Sequence, residues 1–467
     1  MTRRLPPPAR LRGLVAAGII GTVLTGTALA GCAATGSVST TSSVVDAASA
    51  ADVALDGAAL WDATTVHSIA VEVDDATLRS AIDTYLASGE KVWIEATVVI
   101  DGVRFERVGL KLKGNSSLRS LTADTDPATL PWLLRLDKFV DGQTWDGWSE
   151  LVVRGNSSAT SMNEAVALGL LSATGLASEA AVASGFSING GDTQLRLVVQ
   201  NPDDQWASTA LADDTLLYKA ESGGTWDYVG DDPADYVGDF EQEAGDDDLT
   251  PLIDFLEFVN ESDDATFAAD LDQWLDVDAF ATYLAFQNLV QNSDDIDGPG
   301  NNAYLAADAA TGRMTVVNWD LNLAFGASPD GGMGTGMGAG GGMAGPPAGG
   351  QGGAPGAVQG GAPAGAPTGG GMAGGGATGA ATGGAGAMGA TPSQGNVLAE
   401  RFLATDAFAA LVDAASARLQ TELVDSGVAA GILAQWTATL TEHAGDLVSA
   451  ETVASEAASI AAKLGIE

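Results

Sequence analysis

Residues 292–326 read NSDDIDGPGNNAYLAADAATGRMTVVNWDLNLAFG. A helical run gives way to a loop carrying Asp294, Asp295 and Asp297, then Gly298-Pro299-Gly300 and Asn301-Asn302 lead into a strand. The strand runs from Asn302 to Ala307, turns at Thr311-Gly312, and pairs with Met314 to Trp319. It closes in Trp319-Asp320-Leu321-Asn322 and Phe325-Gly326. A loop acid after a helix, a following Asn, then a strand ending in Asp is the order that metal-dependent phosphoryl transfer uses. One carboxylate orients the attacking hydroxyl, while an amide and a second carboxylate hold the divalent ion that bridges the phosphates. A calcium-stabilised or merely acidic loop has the same composition. An EF-hand does not fit, because Asp295 at position 1 puts Pro299 at position 5. The other acid run, Asp231 to Asp248, reads as a solvated loop.

The acids of this stretch belong to a very negative chain: 467 residues with 20 Lys+Arg against 61 Asp+Glu, a formal charge of −41. Such a surface repels phosphate backbones, which argues against nucleic-acid binding by counterion release. Two His and one Cys rule out Cys/His zinc sites and disulfide frameworks, and neither His67 nor His443 stands in a nucleophile-triad setting. The chemistry left is that of carboxylates, amides, hydroxyls and a few cations, with oxygen-ligated Mg²⁺, Mn²⁺ or Ca²⁺.

Arg104, Arg107, Lys111, Lys113, Arg119, Arg135, Lys138 and Arg154 crowd into one stretch. They read either as a solvated strand face or as an anion site. Lys113-Gly114-Asn115-Ser116-Ser117 ends a strand in a small-residue turn whose amides can face an anion, and Arg154-Gly155-Asn156-Ser157-Ser158 echoes it. Neither has the spacing of a Walker loop.

The rest of the chain sets the domain plan. Arg3 to Arg12, the apolar run Leu14 to Leu24 and Leu29-Ala30-Gly31-Cys32 order themselves like a lipoprotein leader, 1–31, with Cys32 acylated after cleavage. A Ser/Thr/Ala/Gly tether covers 32–54. A β-rich part, 55–225, is expected to hold strands at His67–Val73, Lys91–Ile100, Val103–Lys113, Trp132–Phe139, Glu150–Arg154, Ala180–Ile188, Gln194–Gln200 and Thr215–Lys219. Helices are expected there at Asp75–Ser88 and Ser161–Ala173. A helical part, 226–467, has helices at Leu252–Val259, Thr266–Trp274 and Val277–Gln291, and three more over 396–464. Between them lies a Gly-rich insertion at 328–395, whose residues 331–395 hold 29 glycines and no charge. Trp132, Trp145, Trp148 and Tyr283 read as core, with a ligand platform as the alternative. Five Met inside the insertion lack the Cys or His company of a copper site.

At these residues the chain resembles the CotH-type spore-coat kinase family. The similarity lies in GLKLKGNSS (109–117), PWLLRLDKF (131–139) with Asp141-Gly142-Gln143, LLYK (216–219), Asn292-x-Asp294 through Asn301-Asn302-x-Tyr304-Leu305, and WDLNxxFG (319–326). Asn396-Val397-Leu398 with Arg401-Phe402-Leu403 resembles that family's first helix after the active site. The resemblance implies an α+β, two-lobed atypical protein-kinase-like fold, with a β-rich N-terminal lobe and a helical C-terminal lobe. It also implies transfer of phosphate from ATP to protein hydroxyls with Mg or Mn. Asp294 then matches the catalytic aspartate, Asp320 the metal-binding aspartate and Asn302 a second metal ligand. Arg135 is the expected phosphate cation, paired with Glu164, with Lys113 and Lys219 also facing phosphate. The implied setting is the outer face of the membrane, reached through the lipid on Cys32, with a protein substrate or cell-envelope partner.

Three residues depart from the family pattern: Arg135 for Lys, which is not interchangeable on phosphate, Gln200 for Glu, and Asn322 for the second Asp of WDLD. They leave open a catalytically degenerate surface binding or structural lipoprotein. A carboxylate-pair glycosidase is a more distant alternative, because no sugar-binding aromatic arrangement is visible near 294 or 320.

Overall fold

The computed structural model describes residues 59–466 apart from 213, 293, 297–301, 329–331 and 334–395. The leader, Cys32, the tether and nearly all of the Gly-rich insertion lie outside these residues, as does Asp297.

The first strands alternate apolar and polar residues, so each buries one face: Ile94, Ala96, Val98 and Ile100 point inward from β2 (Ile94–Ile100). β1 (Val66–Glu72) precedes helix α1 (Asp75–Ser88), which starts where the Asp74 carboxylate accepts the Thr77 amide and stops at Gly89 in the left-handed region. β2 turns into β3 (Val103–Leu112) through Asp101 and Gly102, both at positive φ, the geometry a tight hairpin demands. β4 (Trp132–Arg135), β5 (Glu150–Val153), helix α2 (Met162–Thr174), β6 (Ala181–Ile188) and β7 (Gln194–Gln200) follow. The strands close a seven-membered barrel in the order β1-β2-β3-β4-β5-β7-β6, sealed by the parallel pair β1 and β6. Val98, Ile100, Val108, Leu110, Leu134, Leu151 and Val153 fill it.

A second sheet, β11-β10-β8-β9, forms from β8 (Leu216–Ala220), β9 (Phe240–Ala244), β10 (Ala303–Ala307) and β11 (Met314–Asn318). β10 is buried along its whole length, which its unbroken AYLAA run reflects. The helices are α3 (Asp204–Ala210), α4 (Thr250–Glu261), α5 (Asp264–Asp270), α6 (Val277–Leu289), α7 (Val397–Ala404), α8 (Asp406–Leu419), α9 (Val428–His443) and α10 (Ala450–Leu464). The result is mixed α/β, β-rich toward the N-terminus and helical toward the C-terminus. One apolar cluster runs from α2 and the outer faces of β6 and β7 through α4, α6 and α8 to α10.

Several elements differ from the sequence expectation. The strand begun at Trp132 ends at Arg135, where the side chain closes on Asp137 in a turn. The stretch 231–248 is not all solvated loop: Tyr236 is fully buried and β9 pairs with β8, with Glu241 exposed and Glu243 half-buried. Residues 396–464 make four α-helices rather than three, because Thr405 leaves helical geometry between α7 and α8. β8 hydrogen-bonds to β9 and β10, so the second sheet bridges the boundary placed at 225.

Gly109 in β3 is a packing requirement. A Cβ there would stand 2.6 Å from Lys138 Cβ and 2.9 Å from the Trp93 ring, over which the Lys111 and Lys138 ammonium groups sit at 4.6 and 4.9 Å. Gly109→Val is expected to cost about 1–3 kcal/mol through overpacking, read as a lower urea midpoint at unchanged m-value.

Candidate functional site

β3 and β5 both run antiparallel to β4, with Leu112 and Val153 each opposite Trp132, so the two strands leave the barrel at the same edge. The next residues are Lys113 and Arg154. The echoing turns pack side by side: Gly114, at φ 98°, and Gly155 both lie against Ser117 and Pro131. Their two cations converge on one ring, Lys113 Nζ and Arg154 Cζ each lying 5.5 Å from the centroid of Trp319. Trp319 leaves β11, and its ring meets Tyr304 of β10 edge-on at 5.6 Å.

Arg154 is buried and shared. Its Nε donates to Glu164 Oε2 at 3.0 Å, and its Nη2 reaches Glu164 Oε1 at 2.9 Å and also Asp320 Oδ1. Burial alone would push the guanidinium down, but the Asp320 and Glu164 carboxylates raise it, so it stays charged. Burial pushes Glu164 up; the Arg154 charge opposes this and Asp320 adds to it. Asp320 itself sits at φ 59°, a left-handed conformation uncommon outside glycine. The loop after it is held by Ser157 Oγ and Asn163 Nδ2, which both donate to the Asn322 carbonyl.

Asp294 follows α6. Asn302 Nδ2 donates to both its Oδ2 and its carbonyl, each at 2.8 Å. Burial raises the Asp294 carboxyl; the Asn302 hydrogen bond and Arg119 offset part of this, while the Asp320 charge adds to it. Asp294 and Asp320 therefore act on each other electrostatically, with Arg154 paired to Asp320 and Arg119 acting on Asp294.

The family model described as CotH kinase protein matches residues 110–454. The chain belongs to the CotH kinase family. No curated protein matches it. The CotH match spans both cation turns, Asp294, Asn302 and Asp320, and membership points to a kinase-like function.

Within this CotH chain the structure gathers Lys113, Glu164, Asp294, Asn302 and Asp320, but it redistributes one pairing. Arg135 does not meet Glu164. It bonds Asp137 at 2.9 Å and Glu150 at 3.1 Å, because its strand register sets it opposite Glu150. Arg154 takes Glu164 instead. Its echo of the Lys113 turn, shortly before the helix that carries Glu164, was the available signal. Lys219 is paired with Glu221 and lies 4.0 Å from Glu241, while its charge still acts on Lys113. Gln200 accepts the Ala180 amide at 2.7 Å and so serves the start of β6. Sequence reasoning missed Trp319 as the shared ring, and Glu243 of β9, whose charge acts on Lys113.

Among the described residues no group of three or more His, Cys, Asp or Glu side chains could hold a metal ion by itself. Two carboxylates and an amide remain, all hard oxygen donors. Such a set suits an ion that keeps waters and takes phosphate oxygens for its other positions.

Glu179 feels the charges of Glu164, Arg154 and Asp320, a link that sequence reasoning missed. It is 4% exposed, its Oε1 lacks a partner among the described residues, and burial pushes its carboxyl to about 8, with Glu164 and Asp320 raising it and Arg154 opposing. A carboxyl raised on folding contributes stability that is intact below its unfolded value near 4.5 and is lost as pH rises through about 8. Between pH 5 and 8 the wild type should lose on the order of a few kcal/mol through this group. Glu179→Gln is expected to flatten that slope in urea melts taken across the same range.

Proposed function

We propose that this chain is an atypical, two-lobed protein kinase that transfers the γ-phosphoryl group of ATP to a protein hydroxyl. One observation carries the reading: Arg154 joins Glu164 of α2 to Asp320 while sharing the Trp319 ring with Lys113. A strand cation paired with a helix acid, beside an aspartate after a strand, is the arrangement kinase chemistry requires. Arg154 and Lys113 hold the phosphates. Asp320 with Asn302 would hold Mg or Mn, and the hard-oxygen donors fit that ion; when bound, it supplies neutralisation of phosphate charge. Asp294 takes the proton of the attacking hydroxyl as its oxygen bonds to the γ-phosphorus and the bond to ADP breaks. Burial and the neighbouring Asp320 raise Asp294, which favours that role. The leader order and Cys32 support a lipid-anchored protein acting on an envelope or surface protein outside the cytoplasmic membrane.

Asp320→Ala should abolish the rise in melting temperature produced by ATP with Mg²⁺, while Asp294→Ala should keep that rise and lose about 10²–10⁴-fold in labelled phosphate incorporation. Incorporation that persists in Asp294→Ala would overturn the role given to it. A wild type that shows no nucleotide response would favour the degenerate binding protein.

Lys113 adds a pH signature. Burial lowers its ammonium to about 8. Its positive charge is therefore lost as pH rises through about 8, and nucleotide affinity should fall there. A lowered lysine makes the fold more stable, not less, between about 8 and its ordinary 10.5, so the loss is not unfolding. Titration of ADP binding from pH 7 to 10 checks this, and Lys113→Arg should remove the step.

A further inference from the structure

α6 presents Tyr283 and Gln287 one turn apart; Gln287 holds the loops that carry the two aspartates, and Tyr283 holds the Asp294 loop. Gln287 is 1% exposed and spends both ends of its amide. Its Oε1 accepts from Asn292 Nδ2 at 3.0 Å and its Nε2 donates to Asn318 Oδ1 at 2.9 Å. Asn292 stands two residues before Asp294, and Asn318 two before Asp320. On the far side of Asp294 the Ile296 amide donates to Tyr283 Oη at 3.4 Å.

Asn292 Oδ1 and Asn318 Nδ2 have no partner among the described residues, so Gln287 supplies the hydrogen bond that each asparagine side chain makes. Both loops also hold residues in the left-handed region, Gln291 at φ 51°, Asp320 at φ 59° and Phe325 at φ 58°. Such conformations are costly outside glycine and persist only where the surroundings impose them. A carboxamide suits the task because it offers a donor and an acceptor a fixed distance apart on one rigid plane.

We propose that Gln287 is a positioning residue that fixes the spacing of Asp294 and Asp320 and thereby sets the divalent-cation affinity of the site. The cation half rests on the phosphotransfer reading above; the coupling of the two loops does not. Gln287 is buried and acts through Asn292 and Asn318 without touching ion, nucleotide or substrate.

Gln287→Met keeps the volume and removes both hydrogen bonds. In the ion-free protein, amide hydrogen exchange should quicken in both 292–296 and 318–325 and stay unchanged in α9 and α10. In the presence of ADP, Mn²⁺ affinity followed by electron paramagnetic resonance should weaken about ten- to hundredfold, the usual cost of losing an outer support. ADP affinity without metal should hold. Asn318→Ala cuts one arm more gently, and the double variant should be no worse than Gln287→Met alone. Exchange unchanged, or quickened in one loop only, would overturn the coupling. An equal loss of ADP and Mn²⁺ affinity would overturn the positioning role. A wild type that binds neither would remove the phosphotransfer reading, and the exchange pattern would still decide the coupling.

Discussion

A guanidinium held out of water by two carboxylates from distant parts of the chain is the constraint on which the rest depends. Burying an ion costs several kcal/mol, and the attraction repays it only where geometry is good and the remaining donors are used. Arg154 meets those terms through Glu164 on α2 and Asp320 after β11. Its backbone is fixed too, with the amide donating to Leu197 and the carbonyl accepting from Arg196. Barrel edge, helix and second sheet are thus tied at one point. One cation against two carboxylates leaves that point net negative, and removing the guanidinium would leave both anions uncompensated, a loss of about 3–5 kcal/mol for pairs of this kind.

Charge is organised around that knot. In a chain of −41, Lys91, Lys111, Lys113 and Lys219 crowd one another enough that Lys91 is lowered, by burial first and then by Lys219 and Lys111. In a surface otherwise repelling anions, this edge is where cations collect. Burial works against the charged forms of Lys113 and Lys91, while the neighbouring acids favour them, Glu243 and Glu150 at Lys113 and Glu221 and Glu241 at Lys91.

Local patterns were legible where local physics decides them. α1 and β7 fall on the expected residues because an N-cap and a closing glycine mark the helix and an apolar run marks the strand. The Asp101-Gly102 hairpin and the hairpin that carries Asp320 also follow from turn chemistry. What stayed hidden depends on register. The order of residues 131–154 points to Arg154 rather than Arg135 as the partner of Glu164 only through its echo of the Lys113 turn. The pairing is settled by Arg135 lying opposite Glu150 and by β5 ending at the edge where β3 ends. β9 escaped because two acids and a glutamine fill its middle, and the break at Thr405 escaped because no glycine or proline marks it.

The loop between Arg154 and Glu164 bears on the substitution at 322. Glu456 of α10 accepts from Ser158 Oγ at 3.0 Å, the Ala159 amide at 2.8 Å, the Thr160 amide at 3.2 Å and the Thr160 hydroxyl, pinning the loop from the C-terminal side. From the other side Ser157 and Asn163 grip residue 322, and they grip its carbonyl, not its side chain. Replacing Asp with Asn at that position therefore removes a charge without removing a support. The segment Asp320–Phe325 keeps its left-handed turns, because what imposes them is the Asn322 carbonyl and the Phe325 amide donating to Val290 at 2.6 Å.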